Sequence, residues 1–172
     1  IRWPSVMAGV LGPDWEVIAE GHPGRTAVFD DPIEGPHKNG QTALPVLLET
    51  HRPIDLGIVM LGTNDLKARC NQSAHDIALG LRRLAIDVLR NDSGPDARAP
   101  QVLLAAPVPV IEAGAMAQTF AGAAHKPPQT AQLLRDVPHE LGSVSAVMGA
   151  AAEVVPVDGI HLTEEAHAAI GS

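Results

Sequence analysis

The chain has 172 residues, enough for one domain with a full core, and 45% are hydrophobic against 19% charged, which excludes a disordered or low-complexity polymer. Twelve basic and twenty acidic residues leave a net charge of −8, the wrong sign for a nucleic-acid or anionic-membrane partner. Aromatics are 2%, so the core is built from Ala, Val and Leu, and the one cysteine, Cys70, excludes an internal disulfide and reads as a structural thiol.

Pro4 suits the first turn of a helix, and Val6, Met7, Val10 and Leu11 follow at helical spacing until Gly12-Pro13 stops the run. Residues 15–19 are β-rich and predict a strand ending at Glu20-Gly21, with a loop over 21–24. Residues 30–40 contain Pro32, Gly35 and Pro36 and are expected to be irregular. A helical pattern over 42–50 places Pro45 in its first turn. Residues 56–61 form a continuous apolar run and predict a central parallel strand buried on both faces.

Ser73 and Asp76 predict a capped helix with Ile77, Leu81, Leu84, Val88 and Leu89 on its inner face. A polar linker over 91–100 leads to a second buried strand over 101–106. Residues 107–126, rich in Ala and Gly, show no assignable pattern. A helix over 129–141 is expected to kink or end at Pro138, a last strand is expected over 143–147, and Thr163 is expected to cap a short terminal helix. The longest apolar runs fall far short of the ~18 residues that span a bilayer.

Alternating helices and strands imply a three-layer α/β fold, doubly wound around a mostly parallel sheet, in one domain over 1–172. Such a sheet begins with a strand, whereas this chain begins with a helix. The N-terminal end is therefore expected to be incomplete, and the short last helix suggests the same at the other end. No signal peptide is visible; localisation stays open, with the cytoplasm as the default expectation.

Ligands of open parallel sheets lie beyond the C-terminal ends of the strands. Asp158 and His161, three residues apart around Gly159, have the residue types of a base and its orienting carboxylate, although the same tetrapeptide suits a helix cap beside a locally packed histidine. In Gly62-Thr63-Asn64-Asp65, the Asn64 amide can face developing negative charge, or the segment can be a plain turn. Gly24 can bring a backbone N–H close to a ligand, or simply turn the chain after Pro23. Arg25 could help orient a substrate but reads better as a surface arginine, and His37, His51, His75 and Asp76 lack metal-site spacing.

Together, the glycine loop, Gly62-Thr63-Asn64-Asp65 and Asp158-Gly159-Ile160-His161 follow the order found in SGNH (GDSL-type) hydrolases, which the chain resembles over nearly its whole length. Arg25-Thr26, Asp30-Asp31-Pro32-Ile33-Glu34-Gly35, His37-Lys38-Asn39-Gly40 and the run from Met60 through Lys67-Ala68-Arg69 resemble the bacterial arylesterase/acyltransferase branch; residues 142–155 match least. The resemblance implies a flavodoxin-like fold, here without its first strand. It implies a serine esterase that cleaves small aryl or short-chain acyl esters through an acyl-enzyme, with acyl transfer to alcohols or peroxide as an added capacity.

The same resemblance implies His161 as general base, Asp158 as its orienting partner, and Gly24 and Asn64 as oxyanion donors. It implies no metal and no organic cofactor, and a homo-oligomer in which residues 30–40 form a contact arm. The Gly-Asp-Ser-Leu turn that carries the family's nucleophile is not among the 172 residues, whose serines are Ser5, Ser73, Ser93, Ser143, Ser145 and Ser172. Ser5 falls inside the first helix and is not nominated. The alternative expectation is a catalytically inactive member of the fold that serves as a binding or assembly subunit.

Overall fold

In the computed structural model, which describes residues 1–142, 144–147 and 152–172, Pro4 lies in the first turn of helix α1 (Trp3–Leu11) and Gly12 ends that helix with φ 80°. Helix α2 (Gly40–Thr50) is capped by Asn39, whose side chain accepts from Gln41 N. Because α2 begins two residues before the sequence pattern suggests, Pro45 sits past the first turn and removes one helix hydrogen bond.

Strand β1 (Leu56–Val59) pairs in parallel with β2 (Gln101–Ala105), and β2 pairs in parallel with β3 (Val144–Val147), in the order β1-β2-β3. Helix α3 (Ala74–Leu89) connects β1 to β2 and packs on both. Ser73 and Asp76 form its capping box, while Ile77, Leu81, Leu84 and Val88 are buried as the periodicity predicts. Leu48, Leu66, Leu104, Phe120 and Leu134 complete the core around that face.

Three expectations need correction. Residues 15–19 form no strand, because no neighbouring strand offers them ladder partners among the described residues. Strand β1 is not central: it lies at an edge of the sheet, and Leu56 is exposed. The helix expected over 129–141 is two helices, α4 (Lys126–Leu133) and α5 (Val137–Leu141), separated by a 3-10 turn at Leu134–Asp136. The break precedes Pro138, which instead occupies the first turn of α5, where proline is tolerated. Residues 107–126, left unassigned above, are irregular chain, a 3-10 turn at Gly114–Met116 and further turns, yet they contribute Val108, Val110, Phe120 and Ala123 to the core. Ser143, the first residue of the expected last strand, lies outside the described residues.

Helix α6 (Glu164–Gly171) is capped by Thr163, whose Oγ1 accepts from Ala166 N at 3.1 Å. It packs against α1 so closely that a Cβ on Gly171 would lie 2.5 Å from Trp3 O. Trp3 N donates to His167 Nδ1, which ties the start of α1 to α6. Among the described residues, no helix is long and apolar enough to cross a membrane.

Candidate active site

Asp158 and His161 sit on a loop closed by a bridge between Val154 and Leu162, with Val155 N donating to His161 O at 2.7 Å. Gly159 turns the loop with φ 74°, and a Cβ there would collide with Ile111 O. Ile111 N donates to Gly159 O at 2.8 Å, so the loop is seated on the segment that leaves β2. Asp158 Oδ1 accepts from Ile160 N at 2.9 Å and from His161 N at 3.0 Å, and Oδ2 faces His161 Nδ1 at 2.9 Å.

The helix-cap alternative does not match this geometry. Thr163, not Asp158, caps α6. The His161 side chain is 77% exposed rather than packed. The tautomer that carries its proton on Nδ1 would donate to this carboxylate and leave the Nε2 lone pair free. The backbone N–H groups of His161 and Ile160, followed by the ring, hold the Asp158 carboxyl down to about 2, which favours the ionised carboxylate.

Gly62 opens the second segment with φ 103°, and a Cβ there would press on Ile77 and Pro107 at 3.1 and 3.3 Å. The chain then enters a 3-10 turn, Asn64–Leu66, and Cys70 Sγ donates to Asn64 O at 3.7 Å. Cys70 is buried, as a structural thiol should be, and burial raises its pKa. The Asn64 side-chain amide makes no hydrogen bond among the described residues and remains available as a donor.

Gly24 turns with φ 80°, and its N–H likewise donates to nothing among the described residues. A Cβ on Gly24 would collide with Glu34 Oε2. Lys38 Nζ donates to Pro23 O at 2.8 Å and pins this turn. Arg25 is not the surface residue expected: it is half-buried, with Nη1 donating to Glu20 O at 2.6 Å. His51 meets Glu20 Oε1 at 2.6 Å, and Asp76 caps α3.

Two buried connections bind the Gly24 turn to the Asn64 turn, and sequence reading assigned no role to either. Asp65, fully buried, accepts from Ala27 N through Oδ1 and Oδ2 at 3.1 and 3.0 Å. Lys67 Nζ donates to Asp31 at 3.0 Å and to Glu34 at 2.6 Å, and Arg69 spans the same two carboxylates. Asp31 is fully buried, and the Arg69 guanidinium holds its carboxyl well below the usual carboxylate range. The signal available in sequence was the alternation of charged and apolar residues in Asp65-Leu66-Lys67-Ala68-Arg69, directly after an apolar run.

Burial raises the Asp65 carboxyl from 3.8 to about 6. The folded chain therefore binds this proton more tightly than the unfolded chain. Its contribution to stability is full below the unfolded value of 3.8 and is lost as pH rises through about 6. Asp65→Asn is expected to remove that slope, worth about 3 kcal/mol. Urea midpoints compared at about pH 4 and pH 7 test this; an unchanged slope in the variant contradicts it.

No family model and no curated protein matches this sequence. Solved structures do. The chain superposes on the native aryl esterase of M. smegmatis with a TM-score of 0.90 and 37% identity, over 99% of this chain and 81% of that one. A carbohydrate acetylesterase family member from Sinorhizobium meliloti gives a TM-score of 0.89 at 37% identity over the same shares, 99% and 81%. Est24, a carbohydrate acetylesterase from Sinorhizobium meliloti, gives 0.90 at 33% identity, over 99% of this chain and 80% of that one.

The class these similarities define is that of carboxylic ester hydrolases built on a parallel α/β sheet, with small-molecule esters as substrates. The chain belongs to the SGNH (GDSL-type) hydrolase family.

Proposed function

We propose that His161, Asp158, Asn64 and Gly24 are the working groups of a serine esterase for aryl or short-chain acyl esters. The observation that carries this reading is the Asp158–His161 pair, formed at 2.9 Å with Nε2 turned to solvent. The nucleophile of the reaction is a serine on a Gly-Asp-Ser-Leu turn, as the family resemblance implies. Ser5 does not fill the role: it is held in α1, inside a helix rather than on a turn.

The steps follow from these groups. The serine Oγ attacks the ester carbonyl carbon as its proton passes to His161 Nε2. The carbonyl oxygen becomes an oxyanion and accepts from the Gly24 N–H and the Asn64 amide. The intermediate collapses, the carbon–oxygen bond to the alcohol breaks, and the leaving oxygen takes the proton from Nε2. Water then gives a proton to Nε2 and attacks the acyl carbon, and the serine departs with that proton. An alcohol or a peroxide in place of water yields acyl transfer.

The neighbours' substrates, aryl esters for one and acetylated carbohydrate for others, support a small acyl group as the shared element. Val157 and Ile111, both exposed beside the dyad loop, offer apolar surface to an aryl or alkyl leaving group. A homo-oligomer belongs to the same proposal. Residues 30–40 are anchored by buried Asp31 and Asn39 and leave Ile33 exposed at 76%, which suits a contact arm.

Asn64→Ala, made in the enzyme that carries its serine turn, is expected to lower kcat by about 10²–10³-fold with little change in KM. Steady-state hydrolysis of p-nitrophenyl acetate measures it. An unchanged kcat removes Asn64 from the oxyanion site.

A further inference from the structure

Residues 22–25 form a tight turn, closed by Arg25 N donating to His22 O at 3.1 Å. Its second residue is Pro23 and its third is Gly24, with φ 80°, the pattern of a type II turn. The middle peptide, from Pro23 to Gly24, is trans. Pro23 O and the Gly24 N–H therefore project in opposite directions from one rigid, planar unit. Whatever holds the oxygen also aims the hydrogen.

The side chain that holds the oxygen is Lys38. Its Nζ donates to Pro23 O at 2.8 Å, and among the described residues no backbone N–H does so. Nζ also lies 3.2 Å from His22 Nε2, which accepts there, because an ammonium has donors only. The Lys38 stem passes beneath Gly24, where a Cβ would lie 3.3 Å from Cε. Glu34 Oε2 stands 4.0 Å from Nζ, while Lys67 and Arg69 each hold Glu34 Oε1 at 2.6 Å. A chain of charged contacts thus runs from the segment just after Asn64 to Pro23 O. The Lys38 side chain is only 15% exposed, so its ammonium rests against the turn instead of swinging in solvent.

The turn needs such a clamp because glycine is permissive. Rotating the middle peptide by about half a turn converts type II into type I and takes φ at the third position from positive to negative. A residue with a Cβ resists the positive value, whereas glycine accepts both. Without a hold on Pro23 O, the Gly24 N–H is free to swing to the other face of the turn. We infer that Lys38 is a positioning residue, which fixes the Pro23–Gly24 peptide and so aims the Gly24 N–H at the carbonyl oxygen of the ester. By drawing electron density toward Pro23 O, the ammonium also makes that N–H a stronger donor. The aim at substrate rests on the oxyanion role proposed above for Gly24, whereas the hold on the peptide does not.

Two variants separate the parts. Lys38→Met keeps an unbranched stem and removes the donors, and Lys38→Arg keeps donors. In a type II turn ψ near about 120° at the second residue brings its Hα close to the next amide hydrogen. The nuclear Overhauser contact between Pro23 Hα and the Gly24 amide hydrogen is therefore expected to be strong in the 172-residue chain and in Lys38→Arg, and to weaken in Lys38→Met. In the enzyme that carries its serine turn, Lys38→Met is expected to lower kcat for p-nitrophenyl acetate about tenfold or more, with KM within about twofold, short of the 10²–10³-fold loss of a donor removed outright. Lys38→Arg is expected to restore most of that rate.

Lys38→Gln, which ends one atom short of the lysine nitrogen and keeps a polar tip, takes the place of Lys38→Met if that variant does not fold. A contact of full strength once the ammonium is gone overturns the clamp, whatever happens to kcat. A weakened contact with unchanged kcat upholds the clamp and overturns Gly24 as an oxyanion donor instead.

Discussion

His161→Ala is expected to lower kcat by about 10⁴-fold or more in the enzyme that carries its serine turn, with its fold intact. In the proposed mechanism the imidazole handles the proton in every step. Both Asp158 carboxylate oxygens are committed to the His161 loop. Because the His161 side chain is 77% exposed, its removal leaves no cavity and no stranded buried group, so stability should stay within about 0.5 kcal/mol. That combination distinguishes a catalytic loss from a structural one. The check is p-nitrophenyl acetate turnover alongside a urea melt of the same variant. Retained turnover removes His161 from the mechanism.

The largest effect on stability is expected from Lys67→Met. Lys67 is 3% exposed and Asp31 is fully buried, so the substitution leaves a buried carboxylate short of a partner. Breaking such a pair from one side costs about 3–5 kcal/mol, whereas removing an exposed pair costs 1 or less. Arg69 stays to serve both carboxylates, but one guanidinium then balances two charges. A drop in the urea midpoint at constant m measures the loss. Glu34 also forms the surface against which Gly24 turns, so the variant should lose kcat as well. A shift under about 1 kcal/mol would mean that the cluster does not organise the two turns.

Local signals in the sequence carried most of the helices. The capping box at Ser73, the proline at the start of α1 and the Thr163 cap each depend on residues within a turn of one another, and each is found. The contact between Asp158 and His161 was legible for the same reason, since the two lie three residues apart on one loop. Properties set by distant partners were not legible. Whether residues 56–59 are central or at an edge depends on which strand lies beside them, not on their own apolarity. The same is true of residues 15–19, whose β-rich composition finds no ladder. Pairs such as Lys67 with Asp31, or Asp65 with Ala27, join positions more than thirty residues apart, and composition gives no register between them.

The central claim is that Asp158 and His161 activate a serine presented to Asn64 and Gly24. An alkyl fluorophosphonate tests it most directly, because the reagent reacts with a hydroxyl only when a base and an oxyanion site are assembled around it. In the enzyme that carries its serine turn, peptide mapping should find one label, on the Gly-Asp-Ser-Leu serine, and the labelling rate should fall by about 10³-fold or more in His161→Ala. Label on any other residue, or an unchanged rate in His161→Ala, contradicts the account.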